Sequence, residues 1–268
     1  GEKPVIQIDI DPHSIGRNAL PELGIVADAG AALQALLEHP SSKNAPDRKS
    51  WIAEAHARQV APAKPEAPYQ APVNPNSVMA DLAEILPKDT VFTTDAGNFS
   101  GWIHHKLTYD TAHSFLGPIV GTMGYGVPSA VAAKIAFPDR IVIGTTGDGG
   151  FLMTGQEMAT AVQYKANIIQ LVFNNGMLGT IRMHQEREYP GRTIGTDFVN
   201  PNFAALAEAY GALGIQVKHG KDFKPALEKA LKAGRPALIE IQTDPEQISV
   251  SATLADLRAG KVKSKRSR

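Results

Sequence analysis

The sequence has no cysteine, no net charge and no long apolar run, and each absence excludes a class of protein. Without cysteine there is no disulfide framework and no thiolate chemistry. The 27 basic and 27 acidic residues cancel, so the chain lacks the electrostatic footprint of a nucleic-acid-binding protein. No apolar run approaches the roughly 20 residues of a membrane span, and no leader-like segment stands at its start. These absences predict a cytoplasmic protein that binds neither nucleic acid nor membrane.

The composition is that of a globular protein with a sizeable core, since 43% of the residues are hydrophobic and 20% are charged. The C-terminal end is the exception, because five basic residues crowd its last eight positions: Lys261, Lys263, Lys265, Arg266 and Arg268. A solvated, frayed terminus is the favoured interpretation, and an arm for nucleic acid or membrane is the alternative.

Composition divides the chain into four segments. Residues 1–38 are interpreted as the end of a domain, 39–72 as a proline-rich linker, 73–248 as a compact domain and 249–268 as a basic tail. The linker contains a short helical island near Trp51–Gln59.

The first segment holds too few elements for a complete domain. Residues 4–10 predict a buried strand, Ile25-Val26 a second short strand, and Ala29 to Leu37 a helix. The helix residues assigned to a core are Ala31, Leu33, Leu36 and Leu37.

The segment 73–248 alternates apolar strands with helical stretches, which predicts an α/β fold with a parallel sheet covered by helices on both faces. The predicted strands are 90–94, 141–145, 168–173, 214–217 and 237–242. The predicted helices are 77–86, 125–136, 155–165, 202–210 and 222–233. Ligands of such sheets bind beyond the carboxyl ends of the strands.

The most informative motif is Gly147-Asp148-Gly149 followed, after residues 150–173, by Asn174-Asn175. Each half follows a run typical of a buried strand, so a carboxylate and an amide oxygen are expected at one edge of the sheet. Hard oxygen ligands suit Mg²⁺, which keeps open positions for phosphate oxygens. Glycines let backbone N–H groups approach an anion, and a helix predicted to start near Thr154 or Gly155 adds a favourable dipole.

This spacing resembles the signature of thiamine-diphosphate enzymes, in which the two motifs hold the cofactor's diphosphate through Mg²⁺. The resemblance implies that Asp148, Asn175 and the backbone carbonyl of Met177 ligate the metal. It also implies that Gly147, Gly149 and Gly150 contact the diphosphate. The implied fold is the thiamine-diphosphate-binding fold.

Two further loops resemble cofactor loops of the acetolactate synthase family. Gly121-Thr-Met-Gly-Tyr-Gly126 resembles the segment that runs between the two cofactor rings, where Met123 would wedge the cofactor into a bent form. The loop 93–99 resembles the third cofactor loop, which adds Gly97 and Asn98. Phe99 stands where the family usually has a histidine, so that contact is lost. Asp95 is interpreted as a turn residue at a strand end.

The stretch after Asn175 indicates the chemistry. Gly179 and Gln185 match the acetolactate synthase pattern, whereas Thr180 and His184 replace larger family residues. Simple 2-oxoacid decarboxylases carry a glutamate where Ile181 stands, which argues against that class. His184 is a candidate for substrate binding or acid/base catalysis, with an ordinary polar surface residue as the alternative.

The resemblance covers nearly the whole chain and identifies it as the C-terminal half of an acetolactate synthase-like enzyme, with residues 1–38 a remnant of the central α/β domain. It implies decarboxylation of a pyruvate-like 2-oxoacid and ligation of the enamine to an acceptor. The family is oligomeric, and its cofactor-activating glutamate belongs to a pyrimidine-binding domain of the full-length protein or a partner subunit. The chain alone is therefore expected to be inactive.

Three alternatives stay open at this stage. The enzyme could be a related lyase or decarboxylase with another substrate, which Thr180 and His184 favour. The chain could be a non-catalytic cofactor-binding module. The resemblance also leaves open whether the longer protein binds FAD.

Overall fold

The computed structural model describes residues 3–44, 46–59 and 71–260, and the chain divides into two compact units at residues 60 and 61. Part of the predicted linker and the five basic residues of the predicted tail lie outside the described residues. Within the described part, no helix combines the length and the apolar character needed to cross a membrane.

The first unit contains two parallel strands and two helices: β1 Ile6–Asp9, β2 Leu23–Val26, α1 Ala29–Glu38 and α2 Lys49–Gln59. Short 3-10 turns lie at Pro12–Ser14 and Pro40–Asn44. Asp28 caps α1, because its carboxylate accepts a hydrogen bond from the backbone N–H of Ala31 (3.0 Å).

The core predicted for the first unit is wrong. Residues 4–10 are not a buried strand, since Ile6 and Ile10 are 64% and 71% exposed. The helix residues assigned to the core, Ala31, Leu33, Leu36 and Leu37, are all exposed. A two-stranded sheet with one layer of helix cannot enclose apolar side chains on all sides.

The second unit is built on a six-stranded sheet in the order β4-β3-β5-β6-β8-β7, with every neighbouring pair parallel. The predicted α/β fold with a parallel sheet is thus confirmed. The strands are β3 Val91–Thr94, β4 Phe115–Leu116, β5 Val142–Gly147, β6 Ile169–Asn174, β7 Leu213–Val217 and β8 Ala237–Gln242. The helices are α3 Pro75–Ile85, α4 Ser100–Lys106, α5 Gly126–Ala136, α6 Asp148–Thr154, α7 Glu157–Gln163, α8 Gly179–Glu188, α9 Phe203–Ala209, α10 Phe223–Leu231 and α11 Leu254–Arg258.

Helices cover both faces of this sheet because successive strand residues point to opposite sides. On one face, strand residues such as Phe92 and Ile143 pack in a core with residues of α3, α4 and α10. On the other face, their neighbours Val91 and Val142 pack in a second core with residues of α5, α7 and α9. Continuous apolar strands are therefore buried on both sides, as a parallel sheet requires.

Five helices and strands of the second unit are missing from the prediction, and all of them are short or polar. They are β4, which has only two residues, and the helices α4, α6, α8 and α11. The helix predicted for 155–165 corresponds to α7, whereas α6 is an additional helix that begins at Asp148 directly after β5. Gly147 ends the strand in an extended conformation, and an acidic residue favours the first turn of a helix.

The register of the sheet brings three strand ends to one edge. Thr94 at the end of β3 pairs with Thr145 of β5, and Gly147 at the end of β5 pairs with Phe173 of β6. The residues that follow these strands therefore lie side by side at the carboxyl edge, which is where the ligand site is expected.

Gly214→Ala is expected to destabilise the second unit. An added Cβ would lie 2.0 Å from the carbonyl oxygen of Ala204 in α9, so strand and helix would have to separate. We expect a loss of about 1–3 kcal/mol in the free energy of unfolding, measured by urea denaturation. Glu208→Ala on the exposed side of α9 is the control, with an expected change within about 0.5 kcal/mol. Equal stability of the two variants would contradict the close packing.

Candidate active site

A cavity of about 240 Å³ opens at the carboxyl edge of the sheet. It is lined by loops that follow β3, β4, β5 and β6, and by residues near Ile248. The structure brings all ten residues assigned to cofactor binding to its wall: Gly97, Asn98, Gly121, Met123, Gly147, Asp148, Gly149, Gly150, Asn175 and Met177. One site therefore collects four loops that are far apart in the sequence.

Asp148 is the buried acid of this site, with only 2% of its surface exposed. One carboxylate oxygen accepts the N–H of Gly149 (2.9 Å), and the other accepts the N–H of Gly176 and the side-chain amide of Asn200 (2.8 Å each). Burial raises the pKa of Asp148, and these hydrogen bonds from neutral groups lower it in part. The carboxylate is thus held by neutral donors alone, and a cation would offset the cost of its burial.

Asn175 and Met177 lie on the turn that contacts Asp148. The side-chain oxygen of Asn175 accepts the N–H of Met177 (3.2 Å). Met177 sits opposite Asp197 in an isolated bridge whose hydrogen bonds use the carbonyl of Gly176 and the N–H of Leu178. Neither hydrogen bond of this bridge involves the carbonyl oxygen of Met177.

The loop after β3 forms an apolar wall of the cavity. The ring of Phe99 stacks on Phe173, with 5.6 Å between ring centroids. Both polar atoms of the Asn98 side chain form hydrogen bonds within the protein. The amide nitrogen donates to the carbonyl of Ile248 (2.9 Å), and the oxygen accepts from the hydroxyl of Thr180 (3.0 Å). Asn98 therefore ties this loop to the opposite wall.

Asp95 does more than end a strand, although the sequence suggests only a turn residue. It is 1% exposed, and its carboxylate accepts the N–H groups of Ala96 (2.8 Å) and Gly124 (2.9 Å). Gly124 has φ +84°, which glycine adopts without strain. Burial raises the pKa of Asp95, and the backbone hydrogen bonds lower it in part. Asp95 thus fastens the loop that carries Met123.

The short helix α11 packs against residues of the cavity wall. α11 packs on α8 through an apolar cluster that includes Met177 and Ile248. Under this cluster, Glu186 is 1% exposed and bonds Arg258 of α11 (2.7 Å), Arg182 (3.2 Å) and the N–H of Gly191 (2.9 Å). The segment 249–268, predicted as a tail, therefore contains a packed helix.

The structure does not bring His184 to the cavity. The side chain lies exposed on α8 and is absent from the residues that line the wall. Its catalytic role stays a prediction.

Sequence reasoning missed Asn200, which bonds Asp148 directly. Asn200 lies 52 positions along the chain from Asp148, in a loop before α9. The Asn-Pro pair at 200–201 predicts a turn, but no pattern in the neighbouring sequence predicts that Asn200 contacts Asp148.

The rim of the cavity carries exposed apolar side chains. Ile119 and Val120 are 100% and 85% exposed beside Gly121, and Leu152 and Met153 on α6 are 49% and 56% exposed. Single exposed apolar residues are common on protein surfaces, and these four stand close in sequence to the wall residues Gly121 and Gly150.

Comparison with known proteins gives a family match. The family described as "Thiamine pyrophosphate enzyme, C-terminal TPP binding domain" matches residues 95–241. The chain is 33% identical to the probable acetolactate synthase large subunit of Methanocaldococcus jannaschii over 254 residues, which are 92% of this chain and 43% of that protein. It is 33% identical to the acetolactate synthase large subunit of Cyanidium caldarium over 247 residues, covering 88% of this chain and 41% of the relative.

A third relative is the acetolactate synthase isozyme 3 large subunit of Escherichia coli, with 30% identity over 237 residues, 86% of this chain and 41% of the relative. The chain spans about two fifths of the length of the curated relatives it matches.

The Glu186–Arg258 pair predicts a pH-dependent contribution to stability. The hydrogen bond from Arg258 lowers the pKa of Glu186 from 4.5 to about 2. The pair therefore stabilises the fold fully above the unfolded pKa and loses this effect as the pH falls through about 2. We expect Arg258→Met to lower the unfolding temperature near neutral pH, with the difference shrinking as the pH falls from 4.5 toward 2.

Lys224→Met is the matched control for loss of a cation, because the Lys224–Glu84 pair is exposed and contributes little. A difference between wild type and Arg258→Met that stays constant over this pH range would contradict the role of Glu186.

Proposed function

Since the chain belongs to the thiamine pyrophosphate enzyme family through its C-terminal cofactor-binding domain, we propose that it is the diphosphate- and Mg²⁺-binding part of an acetolactate synthase-like enzyme. The enzyme would decarboxylate a 2-oxoacid such as pyruvate and ligate the product to an acceptor. The relatives named acetolactate synthase support this class of reaction.

The observation that carries the proposal is the buried carboxylate of Asp148 against the turn of Asn175 and Met177. Within the described residues, no three His, Cys, Asp or Glu side chains gather as a metal cluster. A metal here would thus rest on one carboxylate and neutral oxygens, a donor set that suits Mg²⁺ sharing its remaining positions with phosphate oxygens. The residues present fit the metal.

Asp148, Asn175 and the carbonyl of Met177 would hold the Mg²⁺, and the backbone of Gly147, Gly149 and Gly150 would face the diphosphate. The N–H of Gly149 donates to Asp148, so Gly150 is the more available donor of the pair. When bound, thiamine diphosphate supplies an electron sink for the carbon–carbon bond that breaks.

The remaining wall residues would position the cofactor and exclude water. Gly121 has φ +67°, and no atom lies within 4 Å of the place that an added Cβ would take, so the chain leaves room on that side of the cavity. Met123 lines the same side and would support the cofactor rings. The stacked pair Phe99 and Phe173 forms the apolar side, where water is excluded.

We also propose that the rim around this cavity contacts a pyrimidine-binding domain, either of the full-length protein or of a partner subunit in a homo-oligomer. The exposed side chains of Ile119, Val120, Leu152 and Met153 support this contact. The reaction needs an acid beside the cofactor, and the described cavity wall holds no glutamate for that role.

A related lyase with another substrate is the second candidate function. Thr180, which replaces a larger family residue, lines the cavity. A smaller side chain at this position would enlarge the space for the second substrate. Activity of the complete enzyme on a panel of 2-oxoacids would distinguish an acetolactate synthase-like enzyme from a related lyase.

Asp148→Asn is expected to weaken the Mg²⁺-dependent binding of thiamine diphosphate strongly. The substitution keeps the size of the side chain but removes the single carboxylate of the proposed donor set, so affinity should fall on the order of 100-fold. Isothermal titration calorimetry with and without Mg²⁺ measures the effect. Asp139→Asn, the same change at an exposed position, should bind as wild type. Unchanged Mg²⁺-dependent binding by Asp148→Asn would rule out the metal assignment.

The purified chain is expected to consume no pyruvate in the presence of thiamine diphosphate and Mg²⁺. The physical reason is that, among the described residues, the cavity wall holds no glutamate that could activate the cofactor. Pyruvate depletion is followed by a coupled assay, and measurable turnover by the pure chain would contradict the need for a pyrimidine-binding domain.

A further inference from the structure

We propose that Glu240, a buried residue of β8 outside the cavity wall, positions Asp148 through a polar relay made of Glu240, Asn174 and Asn200. This inference rests on the proposed function, because Asp148 is the proposed metal ligand. Glu240 is 1% exposed and lies in the sheet, where a carboxylate needs partners to remain buried.

Glu240 binds donors on both of its oxygens. Oε2 accepts the N–H groups of Phe203 (3.1 Å) and Ala204 (3.4 Å) and the side-chain amide of Gln216 (3.3 Å). Oε1 accepts the amide nitrogen of Asn174 (2.8 Å). All four partners donate, so the carboxylate acts only as an acceptor.

The relay then continues toward the site. The side-chain oxygen of Asn174 accepts the N–H of Gly176 (3.2 Å) and the amide nitrogen of Asn200 (2.9 Å). The same nitrogen of Asn200 donates to Oδ2 of Asp148 (2.8 Å), as does the N–H of Gly176 (2.8 Å). Asp148 thus receives two donors that Asn174 holds in place.

The direction of every hydrogen bond in the relay is fixed by chemistry. Glu240 can only accept, and the backbone N–H of Gly176 can only donate, so the amide of Asn174 can point only one way. That orientation leaves Asn200 with its nitrogen toward both Asn174 and Asp148. An all-acceptor group at position 240 therefore supports the orientation that Gly176 and Asp148 also require, in which the nitrogen of Asn200 faces the proposed metal ligand.

Glu240→Gln tests this argument, because it keeps the size and removes the all-acceptor character. The amide oxygen would face the three donors on the Oε2 side, and the new NH₂ group would face the amide nitrogen of Asn174. Asn174 would have to turn over and place its own NH₂ against Gly176 and Asn200. The N–H of Gly176 then loses an acceptor, and Asp148 loses its fixed donors.

The first readout is hydrogen exchange of the Gly176 N–H by NMR in the full chain without metal or cofactor. We expect exchange about tenfold faster in Glu240→Gln. The second readout is binding of Mg²⁺ with inorganic pyrophosphate by calorimetry. We expect about 10–100-fold weaker affinity, the usual effect of removing an outer-shell partner.

The double variant Glu240→Gln/Asn174→Asp should restore both readouts. The amide at position 240 then donates to the carboxylate at 174, whose second oxygen accepts from Gly176 and Asn200. Gln216→Met is the matched control, since it removes a partner of Glu240 on the side away from the relay and should leave both readouts unchanged. If Glu240 had a purely structural role, Glu240→Gln and Gln216→Met would change the two readouts equally. Adding Asn174→Asp would then not restore the readouts of Glu240→Gln.

Asn200→Ala provides a test that leaves the sheet intact if Glu240→Gln does not fold. Asn200 lies in a half-buried loop, and its removal breaks the last link to Asp148. Unchanged affinity for Mg²⁺ and pyrophosphate in Asn200→Ala, or unchanged Gly176 exchange in Glu240→Gln, would overturn the relay. A wild-type chain that binds no Mg²⁺ and pyrophosphate would overturn the proposed function instead, and Gly176 exchange would still decide the relay.

Discussion

The parallel pairing of β3, β5 and β6 is the constraint on which the site depends. Because the three strands run the same way in neighbouring positions, their carboxyl ends meet at one edge, and the loops that follow them share one cavity. Helices cover both faces of the sheet, so this edge is where backbone groups remain available to a ligand. Strand order, rather than any single contact, therefore locates the chemistry.

Four buried acids of the second unit fall into two kinds. Asp95, Asp148 and Glu240 are held by backbone N–H groups and neutral amides, whereas Glu186 is held by arginines. Neutral donors orient a carboxylate without cancelling its charge. Acids of the first kind hold the loops of the cavity in place, and among them only Asp148 lies on the described cavity wall, where its carboxylate would face a cation. The second kind, Glu186, fastens helix α11 through its ion pair with Arg258, which contributes to stability.

The sequence predicts the parallel sheet, the cavity wall and the helices and strands of the first unit well, but it does not predict the exposure of the apolar residues in the first unit. The strand ends near Asp148 and Asn175 are predictable because apolar runs and glycines mark them locally. The exposed Leu36 and Leu37 were assigned to a core because amphipathic spacing says which side of a helix is apolar but does not say what covers it. α8 was missed because its sequence is largely polar and carries no apolar stripe.

The sequence by itself determined the alternation of strands and helices, the oxygen donors that follow β5 and β6, and the absence of thiolate chemistry. These are local properties, set by residue type and by the periodicity of apolar positions. Only the tertiary structure decided that Asn200 bonds Asp148, that Glu240 holds Asn174, and that His184 lies away from the cavity. The physical reason is that a hydrogen bond between distant residues depends on strand order and side-chain direction. The local sequence around each residue determines neither of them.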